Sequence, residues 1–185
     1  MLPSVHLSPS CAYVIINMHM INYQKKYLEL IEELHKRIVL YYGEKLVSIV
    51  LYGSVGRSKF RPDSDIDILI IVEDLPKGRT KRIEEFQEKL ESPLSDYLHE
   101  LNKEGIYPLL SPIIKTKNEI QKGSPLFLDM IEDAKFLFDK DNYFKEYLCR
   151  LNNRLKEMGA KKIFFKGGYY WLLKPDYKWG DVIEL

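Results

Sequence analysis

Two aspartates, Asp65 and Asp67, stand at the start of a segment that is otherwise apolar, residues 66–72. Side chains alternate along a strand, so both carboxylates project from one side while Ile66 and Ile68 point to the other. Two carboxylates held this close repel each other unless a cation lies between them. Hard oxygen ligands suit Mg²⁺ or Mn²⁺, and Mg²⁺ takes one or two carboxylates together with substrate phosphates. The pair predicts a metal site that could orient a nucleoside triphosphate for phosphoryl or nucleotidyl transfer.

A glycine and a serine, Gly53 and Ser54, precede this pair by about ten residues and follow a β-rich run over 46–52. Glycine lets the backbone approach a ligand closely, and the serine offers a hydroxyl. An isolated Asp-x-Asp is more often a solvated strand start than a metal site, but the preceding strand and Gly-Ser turn favour the metal site here. The segment lacks the Gly-Lys-Ser/Thr ending of a P-loop, and the chain has no Gly-x-Gly-x-x-Gly.

Basic residues lie between the two motifs, chiefly Arg57 and Lys59, with Arg61 a weaker candidate. Cations in this position could meet the triphosphate or the leaving pyrophosphate, as they do around developing phosphate charge. They could equally be solvated side chains of a loop.

Gly53-Ser54 followed by Asp65-x-Asp67 resembles the signature of the DNA polymerase β-like nucleotidyltransferases. The segment 46–76 is most similar to the minimal nucleotidyltransferases of archaea and bacteria (MNT proteins), and the resemblance covers about residues 25–115. Later segments, including Phe127–Asp133, are similar to the C-terminal extensions of archaeal members.

The resemblance implies a mixed, twisted sheet flanked by helices, with a cleft at the Gly-Ser turn. ATP or another NTP would bind with Mg²⁺, with Gly53 and Ser54 at the β- and γ-phosphates and Asp65 and Asp67 on the metal. An acceptor hydroxyl would attack the α-phosphate and expel pyrophosphate. MNT proteins partner HEPN ribonucleases in toxin–antitoxin pairs, and some transfer AMP to a tyrosine. A non-catalytic antitoxin that neutralises a HEPN toxin by binding is an alternative.

One feature departs from the family pattern. Active members usually carry a third carboxylate on a neighbouring strand, whereas the third strand predicted here, residues 106–115, contains no Asp or Glu and has Ser111 in its middle. A carboxylate could reach in from elsewhere, or the protein could bind a nucleotide without turning it over. The acidic residues nearest in sequence are Glu104, Glu119, Asp129 and Glu132.

The remaining pattern alternates helices and strands and predicts an α/β or α+β fold. We expect a disordered leader over 1–20, a nucleotidyltransferase core over 21–115, and a small α/β extension over 116–185 that packs on the core. Helices are predicted over 21–43, 79–104, 125–133 and 142–158, and further strands over 135–138 and 161–166. Thr116 and Glu119 have capping-box spacing.

The composition of the chain argues against several classes of protein. The net charge of +1 argues against a uniformly basic nucleic-acid or membrane binder, and two cysteines, Cys11 and Cys149, cannot form a disulfide framework. We expect a cytoplasmic protein with no membrane span. The richness in lysine and glutamate is typical of a thermophile, and the resemblance of the later segments implies an archaeal source. Residues 161–179 interleave lysines with aromatics, which suits an amphipathic hairpin and, as an alternative, RNA binding.

Overall fold

A four-stranded mixed sheet organises the protein in the computed structural model, which describes residues 22–179. The strands lie in the order β3-β2-β1-β4; β2 and β3 run parallel, and β1 is antiparallel to both of its neighbours. The prediction of a mixed sheet flanked by helices is confirmed, and β3, which contains Pro112, is an edge strand. The predicted leader lies outside the described residues. The strands are β1 (Leu46–Leu51), β2 (Ile66–Val72), β3 (Leu110–Thr116) and β4 (Lys135–Asp139).

Seven α-helices and a two-stranded hairpin accompany the sheet within residues 22–179. In this part of the chain, none of the helices has the length and apolar character needed to cross a membrane. The hairpin pairs β5 with β6 in antiparallel fashion and forms a separate small sheet. The helices are α1 (Asn22–Tyr42), α2 (Gly53–Gly56), α3 (Arg79–Phe86), α4 (Ser95–Lys103), α5 (Lys117–Gln121), α6 (Leu126–Asp133) and α7 (Tyr143–Glu157); the hairpin strands are β5 (Lys161–Phe165) and β6 (Gly168–Leu172).

The long charged helix predicted over 79–104 is wrong as a single element. The chain forms α3, then a π-helical segment over Gln87–Glu91, a 3-10 turn over Ser92–Leu94 and finally α4. Pro93 lies in this turn, where its missing N–H and its ring are incompatible with a continuous helix. The third strand also begins later than predicted, at Leu110 instead of residue 106, because its pairing with β2 starts opposite Ile66.

Each face of the sheet is covered by its own set of helices. Ile66, Ile68 and Ile70 of β2 pack with α1 and with the 79–103 region, whereas Leu69 and Ile71 pack with α6 and α7. All five side chains are fully buried, and each burial contributes about 2 kcal/mol. The face that bears Leu69 is also the face on which alternation places Asp67. The helices after residue 125 therefore stand on the same side of the sheet as the predicted metal-binding pair.

Candidate active site

The carboxyl end of β1 and the start of β2 bring Gly53 against Asp67. The two strands are antiparallel, and the backbone N–H of Tyr52 donates to the Asp67 carbonyl at 3.1 Å. Gly53 has a φ of +64°, and a Cβ atom there would overlap Oδ2 of Asp67. Only glycine satisfies both the left-handed backbone and this close approach. The structure thus joins two motifs that are more than ten residues apart in sequence.

The two aspartates differ in their surroundings, since Asp65 is exposed and Asp67 is half-buried. Burial, followed by the nearby charge of Asp65, raises the pKa of the Asp67 carboxyl, while Arg57 and a hydrogen bond from Ser111 partly offset that rise. Such a pair of carboxylates suits a divalent cation that completes its coordination with phosphate oxygens and water. Within residues 22–179 no group of three or more potential ligands forms an all-protein metal cage. The donor set fits a divalent cation held by two carboxylates.

Ser111 occupies the position on β3 beside Asp67 where a third carboxylate would lie. It lies on β3 in direct register with Asp67 of the neighbouring parallel strand, and its hydroxyl hydrogen-bonds to the Asp67 carboxylate. The four acidic residues considered from sequence all have other partners: Glu104 pairs with Lys26, Glu119 with Arg82, Asp129 with the indole N–H of Trp171, and Glu132 with Lys162.

Arg57 follows α2 and connects the aspartate pair to α6. Its guanidinium pairs with the carboxylate of Asp133 at 2.5 Å, and its charge also acts on Asp67. The Asp133 side chain is 11% exposed, and a Cβ on Gly56 would lie 2.5 Å from the Asp133 carbonyl oxygen, so α2 packs tightly on the end of α6. Lys59 is exposed at the end of this turn. The sequence did not identify Asp133, because its helix carries no signal of contact with a residue 76 positions earlier.

Two tyrosines of α1 hold the loop that leads to Asp65. Tyr27 donates its hydroxyl to the Ser64 carbonyl at 2.7 Å, and Tyr23 donates to the Phe60 carbonyl at 3.1 Å. The Phe60 ring lies 4.9 Å from the Tyr27 ring. Burial raises the pKa of Tyr27 to about 12, so its hydroxyl remains a donor at neutral pH. The loop before Asp65 is therefore held in place by hydrogen bonds from α1, whose two tyrosines lie four residues apart on one face of the helix.

The basic aromatic segment forms the β5–β6 hairpin and is attached to α6. Lys162 pairs with Glu132 at 2.8 Å and lies over the rings of Tyr169 and Trp171. Other aromatic side chains of the hairpin are exposed, with Phe164 at 75% and Phe165 at 64%. Lys162 thus attaches the hairpin to α6, whereas Phe164 and Phe165 present apolar surface to solvent.

Fold and site together define a class: an α/β nucleotidyl-transferring enzyme whose Gly-Ser turn abuts a strand-borne aspartate pair. The family model described as "Nucleotidyltransferase domain" matches residues 31–124, about half of the chain, so the protein belongs to the nucleotidyltransferase domain family. The resemblance inferred from the motifs is confirmed, and the protein is a nucleotidyltransferase.

Two relatives come from Methanocaldococcus jannaschii. The protein is 28% identical over 150 residues to "Putative protein adenylyltransferase MJ1305", an alignment covering 80% of this chain and 95% of the relative. It is 34% identical over 55 residues to "Putative protein adenylyltransferase MJ0141", covering 30% of this chain and 56% of that one. A solved toxin–antitoxin structure with AMP-PNP aligns with a TM-score of 0.41 and 19% identity, covering 74% of this chain and 91% of the other.

Proposed function

We propose that the protein transfers AMP from ATP, in the presence of Mg²⁺ or Mn²⁺, to a hydroxyl group on a protein acceptor. The observation that carries the proposal is the contact of Gly53 with Asp67, which brings the Gly-Ser turn beside a carboxylate pair. Nucleotidyl transfer follows from the family. The choice of AMP and of a protein acceptor is supported by a relative that is named as a protein adenylyltransferase and is aligned over nearly its whole length.

Each candidate residue has a proposed role in this reaction. Asp65 and Asp67 would hold the metal, which when bound would neutralise charge on the triphosphate. Gly53 and Ser54 would contact the β- and γ-phosphates through the backbone and the serine hydroxyl. Arg57 has its charge close to Asp67, so it would stabilise the leaving pyrophosphate, and Lys59 would assist from the rim of the turn.

The transfer itself exchanges the phosphoanhydride bond between the α- and β-phosphates for a phosphoester bond to the acceptor. The acceptor oxygen forms a bond to the α-phosphorus, the bond from that phosphorus to the β-phosphate oxygen breaks, and pyrophosphate leaves with the electron pair. The acceptor proton passes to water or buffer, because the position beside Asp67 on β3 holds Ser111, a hydroxyl in place of a carboxylate base. An acceptor that ionises readily is favoured by such a site. A tyrosine phenol, with a pKa of about 10, meets this need better than an aliphatic hydroxyl.

The test is transfer of label from α-labelled ATP, with Mg²⁺, to the protein encoded by the neighbouring gene. We expect labelling by the wild type and its loss in the Asp65→Asn/Asp67→Asn variant. The matched control is Asp74→Asn/Asp96→Asn, which removes two exposed aspartates outside the site. Absence of ATP binding by calorimetry at millimolar concentration would refute the proposal. A stable complex with the neighbour that forms without labelling, and survives the Asp65→Asn/Asp67→Asn change, would indicate a non-catalytic antitoxin of a HEPN-type toxin instead.

A second candidate function, RNA binding, is favoured by the exposed rings of Phe164 and Phe165 beside lysines. Salt-dependent affinity for single-stranded RNA that falls on Lys161→Glu/Lys166→Glu substitution would support it. Lys162 is left unchanged in this test because it anchors the hairpin to Glu132.

A further inference from the structure

Two large apolar side chains, Tyr107 and Leu109, are exposed beside the aspartate pair. Tyr107 is 56% exposed and Leu109 is 60% exposed, although their neighbours Ile106 and Leu110 are buried. The backbone N–H of Tyr107 donates to the Pro62 carbonyl at 2.7 Å, and the Leu109 carbonyl accepts from Ile66 N–H at 2.8 Å. The segment is thus hydrogen-bonded to the loop and strand that carry Asp65 and Asp67.

The register places Leu109 on the same face of the sheet as the carboxylates. Leu110 lies opposite Ile66, and both belong to the core on the α1 side, whereas Ser111 lies opposite Asp67. Leu109 directly precedes β3, and its carbonyl continues the pairing with β2 through Ile66 N–H, so alternation carried one residue beyond the strand assigns Leu109 to the face of Ser111 and Asp67. Tyr107, two residues before Leu109, is exposed next to the buried Ile106 and is hydrogen-bonded to the loop that leads to Asp65. The two exposed side chains, together called the 107/109 surface, therefore extend the site beyond Ser111.

In-line geometry assigns this surface to one of the two substrates. In nucleotidyl transfer the attacking and leaving oxygens lie on opposite sides of the phosphorus. With the β- and γ-phosphates at Gly53 on the β1 side and the α-phosphate at the β2 aspartates, as proposed above, in-line attack would bring the acceptor hydroxyl from the β3 side. The strand order β3-β2-β1 puts the 107/109 surface on that side. The acceptor, and not the leaving group, passes over it.

We propose that Tyr107 and Leu109 bind the aromatic ring of the acceptor tyrosine and so determine acceptor specificity. The inference rests on the proposed function, since it takes AMP transfer to a protein hydroxyl as given. An aromatic ring laid on Tyr107 and Leu109 removes apolar surface from water on both partners, which a serine or threonine side chain achieves far less. The 107/109 surface would thus favour an aromatic acceptor by apolar contact. Ser111 does not act as a base, so the acceptor phenol must lose its proton without help from that position.

The test uses two stable product analogues, the phenyl and methyl phosphodiesters of AMP, whose binding is measured by calorimetry with Mg²⁺. We expect the wild type to bind the phenyl ester about tenfold more tightly than the methyl ester, the scale for burying half of an aromatic ring. In Tyr107→Ala/Leu109→Ala this preference should fall to about twofold, with affinity for AMP and the methyl ester unchanged. Tyr107→Phe/Leu109→Met should retain it, because both side chains keep their apolar bulk.

Leu40→Ala provides the matched control, since Leu40 is an exposed leucine on α1, 86% exposed. Circular dichroism checks that all variants fold. The inference is overturned if the wild type has no phenyl preference, or if the double alanine variant keeps the preference in full. It is also overturned if the double variant weakens AMP and both esters equally, because the surface would then hold the nucleoside. Failure of the wild type to bind ATP in the same calorimetric series would refute the proposed function itself, which separates the two outcomes.

Discussion

Asp67 is the residue on which the geometry of the site depends. Its carboxylate contacts the backbone of Gly53 from β1, accepts a hydrogen bond from Ser111 on β3 and lies in the field of both Asp65 and Arg57. Gly53, Asp65 and Arg57 could be found from sequence. Gly-Ser and Asp-x-Asp are local patterns with a direct chemical meaning, and Arg57 lies between them. The hydrogen bond from Ser111 needed the parallel register of two strands separated by more than 30 residues, which no local pattern specifies.

Substitution of Gly53 tests the contact with Asp67. Gly53→Ala should abolish AMP transfer, because the new Cβ displaces the Asp67 carboxylate. Gly105→Ala is the control: Gly105 also has a positive φ, +78°, but a Cβ there meets open space. Both changes should lower the free energy of unfolding in urea by about 1 kcal/mol for the strained backbone, and only the first should stop label transfer. Equal transfer rates in the two variants would show that the contact with Asp67 is dispensable.

At the level of elements, the strands and helices nearest the motifs were predictable and their partners were not. Apolar runs defined β1 and β2 closely, and the spacing of Thr116 and Glu119 correctly gave a capping box at α5. The position of β4 beside β1 could not be predicted from sequence. It depends on contacts between distant residues, such as the hydrogen bond that the Ser48 hydroxyl donates to the carboxylate of Asp139, 91 residues away. The break between α3 and α4 depended on one proline within a charged pattern that otherwise favours helix.

Glu119 of the capping box also connects α5 to α3 through its ion pair with Arg82, and this pair makes the free energy of unfolding depend on pH. Arg82 donates two hydrogen bonds to the Glu119 carboxylate, at 2.7 and 3.1 Å, and these lower the pKa of Glu119 to about 2. Because the folded pKa lies below the usual value of 4.5, the stabilisation is complete above about pH 4.5 and is lost as the pH falls towards 2. Since Glu119 is one-third exposed, we expect about 1 to 2 kcal/mol.

Urea unfolding of Glu119→Gln checks this contribution. The variant should be less stable than the wild type at pH 7, and the difference should shrink at pH 2.5, where the carboxyl of the unfolded chain is protonated and the pH approaches the folded pKa of about 2. Glu100→Gln is the control, because Glu100 forms an exposed pair with Lys103 and should change stability little at either pH. A Glu119→Gln effect of the same size at both pH values would contradict the assigned role.

On the scale of the whole molecule, the near-neutral net charge conceals an uneven distribution. Residues 61–141 carry 18 acidic and 12 basic side chains, and residues 142–179 carry three acidic and nine basic ones. The two regions meet where Glu132 of α6 pairs with Lys162 of the hairpin and where Asp129 accepts from Trp171. Part of the basic charge is thus used inside the protein to attach the hairpin, and the remainder gives a local positive potential that the total does not reveal.

The match to the family ends at residue 124, yet the sheet requires the helices beyond that residue. Side chains of α6 and α7, including Phe127, Met130 and Phe144, bury the face of the sheet that carries Val50 and Leu69.

Truncated chains test this dependence. A chain ending at residue 123 would expose that face, whereas a chain ending at residue 159 would lose only the hairpin and the segment after it. We therefore expect the shorter chain to lack a cooperative urea transition and to bind a hydrophobic dye. The longer chain should unfold cooperatively at a reduced midpoint, because partly buried Trp171 and Leu173 are gone. A cooperative transition in the shorter chain would show that the helices after residue 125 are an appendage to a self-sufficient core.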